Sequence, residues 1–157
     1  MPERTRRDAA PAGRPAWARE SDAARPRAGI GTGPGRLLVT LYAIFTIGAT
    51  SRSAYQIATR FDEAPLPYLL SALAAAVYAG ITVALVRGGE AARRTALAGC
   101  VTELVGVLAV GTWSVLDPVA FPDTTVWSTY GMGYLFIPLV LPVVGLLWLR
   151  RAEPAAD

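Results

Sequence analysis

Apolar residues in this chain are not scattered as they are in a soluble globule. They gather into four blocks: Leu37 to Thr59, Leu66 to Val86, Ala96 to Leu116 and Tyr130 to Leu149. Each is about 20 residues long, the length an α-helix needs to cross roughly 30 Å of hydrocarbon. None alternates in short strands, as the wall of a transmembrane barrel would. The pattern predicts an all-α, polytopic four-helix transmembrane bundle over residues 36–151.

Polar positions set the ends and faces of these elements. The first span is apolar from Leu37 to Ile47 and then turns polar through Thr50, Ser51, Arg52, Ser53 and Gln56. Its last third is therefore expected to face other helices or water rather than lipid. Arg60, Asp62 and Glu63 make a short turn, and Pro65 and Pro67 start the next helix, where proline is tolerated. The second span carries Ala72, Ala76, Gly80 and Ala84 at intervals of four. Such a ridge of small residues lets a neighbouring helix approach closely, either within the monomer or in a homodimer. Arg87 to Arg94 form a tight basic loop, so the second and third spans are expected to be antiparallel neighbours.

On the third span Gly99, Glu103 and Gly106 share one face, which is expected to pack against another helix. Asp117-Pro118 ends that span, and the loop Val119 to Thr129 is expected to lie along the membrane surface. Pro138 and Pro142 predict a kink in the last span. Trp113, Trp127, Tyr130 and Trp148 fall near the predicted interfaces, as an aromatic belt would.

Residues 1–35 have no apolar period and are rich in Pro, Ala, Gly and Arg, so a disordered basic tail is expected. Its seven arginines (Arg4, Arg6, Arg7, Arg14, Arg19, Arg25 and Arg27) outnumber four acids, which favours contact with anionic headgroups, with Trp17 at the interface. A solvated tail of biased composition is the other reading. Arg6-Arg7 resembles a twin-arginine export signal, but the apolar stretch begins 30 residues later, so no cleavage is expected. Residues 152–157 form a short second tail.

Charge orients the bundle. With both termini inside, the inner side holds Arg36, Arg87, Arg93, Arg94, Arg150, Arg151 and the basic tail; the outer side holds Arg60, with Arg52 just below it. That asymmetry predicts a multi-pass protein of the plasma membrane (the inner membrane of a cell that has two) with both termini cytoplasmic.

Every basic residue is Arg, and Lys and His are absent. This Ala-rich, Lys-free bias reads as the mark of a GC-rich bacterial genome, and no nucleic-acid partner is expected. Without His the chain lacks the commonest proton shuttle and metal ligand at neutral pH. The single cysteine, Cys100, is expected to be buried filler. No nucleophile elbow, zinc helix, phosphate-cradling loop or cysteine pair is present, so no catalytic residue, metal or cofactor is expected.

Candidate chemistry therefore lies inside the spans. At about 1.5 Å per residue, Glu103 lies about 12 Å from the inner boundary and Arg52 about 24 Å, which disfavours a direct salt bridge between them. Tyr78 and Thr46 lie near the depth of Glu103. Desolvation disfavours a charged carboxyl there, so Glu103 is expected to be largely neutral and hydrogen-bonded to Tyr78 or Thr46. Either this is a polar lock that fixes helix register, or it is a proton-coupling site. Arg52 shares its level with Ser71, Thr112 and Tyr134, and reaches towards Asp117 or Asp62. With Gln56 it outlines an externally open polar pocket, suited to an anionic group such as a lipid headgroup.

The run Ser51-Arg52-Ser53 to Gln56, then Glu63-Ala64-Pro65-Leu66, and Tyr130-Gly131-Met132-Gly133-Tyr134-Leu135-Phe136-Ile137-Pro138 resemble a group of small, uncharacterised four-span membrane proteins of actinobacteria. The resemblance covers Arg36 to Arg151 and implies a compartment and a topology, not an activity. The expected function is that of a non-enzymatic accessory or interaction subunit, in a homodimer or larger membrane complex. The alternative is a small dimeric proton-coupled transporter or exporter component using Glu103.

Overall fold

A computed structural model describes residues 33–151, and these are mostly helical, with no strand among them. The tails, with their arginines, Trp17 and the Arg6-Arg7 pair, lie outside the described residues. Helix α1 (Gly33–Arg60), α2 (Pro65–Arg87), α3 (Gly89–Leu116) and α4 (Ile137–Arg151) run alternately up and down. Three of them are long and apolar enough to cross a membrane, and a fourth crossing is possible if the broken segment before α4 is counted with it.

Local chemistry explains the ends. Gly33–Gly35 open α1 rather than belonging to the tail. After α1 a 3₁₀ turn, Phe61–Glu63, leads to Ala64, whose φ of −155° suits a residue that precedes proline, and Pro65 starts α2. Gly88 ends α2 with φ 67°, which a side chain would strain, and its N–H donates to the Ala84 carbonyl at 3.1 Å. The α2–α3 connection is thus tighter than the Arg87–Arg94 loop that the sequence predicts: Gly88 alone lies between the helices, and Glu90, Arg93 and Arg94 belong to the first turns of α3. Asp117 ends α3, and its Oδ1 accepts from the Ala120 N–H at 3.3 Å.

Helices pack in chain order, α1 on α2, α2 on α3 and α3 on α4. Gly99 permits the α2–α3 approach: a Cβ there would lie 2.5 Å from Ile81 Cγ1. At the arginine-rich end the Arg93 Nε–H donates to the Leu149 carbonyl at 2.9 Å, tying the start of α3 to the end of α4. Between α1 and α4 the ring of helices stays open. An apolar groove of about 400 Å³ runs there, lined by Leu37, Leu38, Leu41, Leu135, Val140 and Leu141 among others.

The fourth block departs most from expectation. Residues Tyr130 to Leu149 do not form one kinked span. Ser128–Tyr134 is a 3₁₀ segment bent by 97° from α4. The break falls at Leu135 and Phe136, both left-handed (φ 55° and 58°), and not at the prolines. Pro138 sits in the first turn of α4, where its missing N–H costs nothing. Upstream, Thr129, Tyr130 and Gly131 are also left-handed. At Gly131 a side chain would additionally strike the Pro138 ring, at 2.9 Å. With 15 residues α4 is about 22 Å long, short of a full crossing.

Outside the bundle the surface is apolar, with Leu73, Val105, Leu108, Leu116 and Leu147 all exposed. Inside it sit polar groups, among them Glu103, Ser71 and Gln56. That inversion is opposite to a soluble fold, whose buried polar groups are few and whose exposed apolar patches are small.

Candidate functional site

Glu103 is fully buried, with 0% exposure, in the middle of α3. Its partner is neither Tyr78 nor Thr46. The Tyr42 hydroxyl on α1 donates to Glu103 Oε2 at 2.8 Å and also lies 3.5 Å from Cys100 Sγ. Oε1 of Glu103 has no hydrogen-bond partner among the described residues. The physical reason for the correction is reach. Matching backbone depth selects Thr46, but a short threonine side chain at that level bonds its own helix. Its hydroxyl donates to the Tyr42 carbonyl at 2.7 Å and meets Thr82 Oγ1 at 3.2 Å. Tyrosine carries its hydroxyl across the helix–helix gap. Tyr42 was detectable in the sequence. It shares one face of α1 with the buried Leu38, Ala49, Ser53 and Gln56, and is the aromatic hydroxyl on that face.

Tyr78 serves a different neighbour. The Trp127 indole Nε1–H donates to its hydroxyl at 3.0 Å. Trp127 is 2% exposed, and Val126 beside it 1%, so the loop after α3 stays at the surface only in its first half, around Val119, and then dips into the bundle at Thr125–Ser128. The expected interfacial anchor is a core residue. Gly106, expected to meet a helix, meets this indole instead, at 2.8 Å from a Cβ position. A knot of hydroxyls turns the chain inward: Thr125 Oγ1 accepts from the Trp127 and Ser128 N–H groups at 3.0 and 2.9 Å, and Ser128 Oγ accepts from the Thr125 N–H at 2.9 Å. Thr129 N–H then donates to Ser114 Oγ on α3 at 2.9 Å. Tyr42, Phe45 and Tyr78 stack around the site, with ring centroids 6.3 Å (Tyr42–Tyr78) and 5.9 Å (Phe45–Tyr78) apart.

A second polar cluster lies at the end of the bundle away from the arginines. Arg52 donates from Nε to Gln56 Oε1 at 3.3 Å, from Nη1 to the Tyr134 hydroxyl at 2.9 Å, and from Nη2 to the Thr124 carbonyl at 3.0 Å. Its counter-charge is Asp123, at 3.5 Å, not Asp117 or Asp62. Gln56 Nε2 also donates to Asp123, at 3.0 Å. Asp117 is occupied with its own turn, and the inward dip of the loop carries Asp123 to the guanidinium. Of the other groups expected at this level, Tyr134 joins the cluster. Thr112 pairs with Tyr130 at 3.1 Å, and the Ser71 hydroxyl is buried without a partner among the described residues. Beside Arg52 opens a cavity of about 380 Å³ lined by Thr124, Thr125, Ser128, Thr129 and Tyr134 among others. Nothing periodic in residues 117–136 marks Asp123, Thr124 or Trp127 as site residues.

Two polar centres thus occupy one bundle, with the Trp127 loop touching both. No protein-family model, curated protein or solved structure matches this chain.

Proposed function

We propose that this is a multi-pass integral membrane protein of the plasma membrane, non-enzymatic, that acts as an accessory or interaction subunit by docking another transmembrane helix. The apolar exterior and the gathering of Arg36, Arg87, Arg93, Arg94, Arg150 and Arg151 at one end support insertion with both termini cytoplasmic.

The observation that carries the docking reading is the free face of α2. Of the small-residue ridge, Ala84 is buried but Ala76 and Gly80 face outward, and a Cβ on Gly80 would meet nothing within 4 Å. Leu69, Leu73, Ala76, Gly80 and Val83 are all exposed and follow one another at intervals of four and three. That is a helix–helix seam with its smallest residues at the centre, and the monomer does not use it. Gly80→Leu is the test, because it leaves the monomer interior untouched. Cross-linking or mild-detergent co-purification of a second copy or of a larger complex is expected with the native chain and lost in the variant. Equal recovery of both, or of neither, rejects the seam.

A second reading rests on Glu103. A buried carboxyl with one oxygen held by Tyr42 and the other unengaged supports proton coupling in a small transporter. Flux in proteoliposomes that depends on pH and disappears in Glu103→Gln is the expected sign; undiminished flux in that variant excludes it.

A further inference from the structure

Three hollows line up along one face of α1, and none is lined by a residue of α2. The polar cavity at Arg52 is followed by a hollow of about 130 Å³ lined by Ile44, Phe45, Gly48, Ala49, Val126 and Tyr134. Below it lies the apolar groove of about 400 Å³ between α1 and α4. Tyr134 borders the first two, and its neighbour Leu135, 83% exposed, borders the third. On α1 the series reads Leu37, Leu41, Ile44, Gly48 and Arg52, at intervals of four, three, four and four, which is a single helical face. Polarity therefore changes along this track from a guanidinium with hydroxyl groups to hydrocarbon.

We propose that the track is a binding site for one phospholipid, whose phosphodiester rests on Arg52 and whose acyl chain lies past Gly48 into the α1–α4 groove. Length agrees: from Arg52 to Leu41 is 11 residues, about 16 Å of helix, against about 15 Å for half of a 30 Å hydrocarbon layer. Charge agrees as well. The Asp123 contact at 3.5 Å is the longest that Arg52 makes, and the carboxylate is already engaged by Gln56 at 3.0 Å and the Thr124 N–H at 2.7 Å. A guanidinium carries five N–H donors in a fork that suits phosphate. Nε spends one on Gln56, Nη1 one on Tyr134, and Nη2 serves the Thr124 carbonyl and hydroxyl, which leaves an Nη1 N–H for the phosphate. Thr124 and Thr129 offer hydroxyl groups on the cavity wall. The short α4 and the left-handed break before it leave the groove open for the chain.

Native mass spectrometry of the delipidated full chain, offered phosphatidylethanolamine and diacylglycerol with the same acyl chains, tests this. One phosphatidylethanolamine is expected to be retained in preference to diacylglycerol by about tenfold, the ratio that one charge-assisted pair supplies. Arg52→Gln is expected to remove the preference. Gly48→Leu, at a mid-helix position where a Cβ meets nothing within 4 Å, is expected to expel the lipid without destabilising the fold. Equal retention of the two lipids by the native chain overturns the proposal. So does unchanged phospholipid binding in Gly48→Leu, which keeps the test decisive even where Arg52→Gln unfolds. Displacement by the glycerophosphoethanolamine headgroup alone at equal concentration also overturns it. All of these readings are independent of association through Gly80.

Discussion

The indole N–H of Trp127 donates to the hydroxyl of Tyr78 at 3.0 Å, joining a loop residue to the centre of a helix 49 positions earlier in the chain. This bond and the stack of the indole on Gly106 hold the Thr125–Ser128 stretch inside the bundle. Trp127→Phe keeps most of the packing and removes the donor, at an expected cost of about 1 kcal/mol. Trp127→Ala leaves a cavity and is expected to cost about 3–5 kcal/mol. Denaturant or thermal unfolding in detergent measures both. Similar losses for the two variants contradict a packing role for the ring.

Tyr42→Phe leaves both oxygens of Glu103 without a donor in a closed interior. Its expected cost is about 1–3 kcal/mol, the penalty for an orphaned buried acceptor. Glu103→Gln retains an acceptor for the Tyr42 hydroxyl and is expected to cost less than Tyr42→Phe. The reverse ranking in unfolding midpoints would show that a charge on Glu103, and not its acceptor oxygen, holds the helices.

Two glycine substitutions separate close approach from free surface. Gly99→Ala drives a methyl group to 2.5 Å from the Ile81 side chain and is expected to destabilise by about 1–3 kcal/mol through overpacking. Gly80→Ala meets nothing and is expected to stabilise α2 by about 0.5–1 kcal/mol through helix propensity. Loss of stability in Gly80→Ala would place that face against a partner already in the purified protein.

Arg93 caps α4 from a different helix, donating to the Leu149 carbonyl at 2.9 Å. Its side chain also meets Glu90 Oε2 at 3.3 Å. Arg93→Gln is expected to loosen the last turn of α4, read as faster amide exchange over residues 146–151 with little change in global stability, since one terminal contact contributes about 0.3–1 kcal/mol. Unchanged exchange there removes the cap from the account.

Helices α1 to α3 follow directly from composition and period. Their apolar blocks, the prolines at 65 and 67, the glycine at 88 and the polar end of α1 each act within a turn or two of themselves. A local signal also suffices to place Glu103 deep in α3 and Arg52 near the far end of α1, because depth along a helix is counted in residues.

Partners are another matter, because they depend on side-chain reach and on which elements face each other. Tyr42 captures Glu103 because its hydroxyl reaches α3, whereas the shorter Thr46 meets only its own helix and Thr82 on α2. Asp123 replaces Asp117 beside Arg52 because a hydroxyl knot at Thr125 and Ser128 turns an irregular loop inward. The fourth block reads as one span because hydropathy records only how apolar a segment is, and a 3₁₀ turn packed on α3 is as apolar as a helix. Hydropathy is summed residue by residue and is therefore legible in the chain. The 97° break, the inward tryptophan and the open α1–α4 groove come from long-range packing, which fixes backbone angles that no local preference selects.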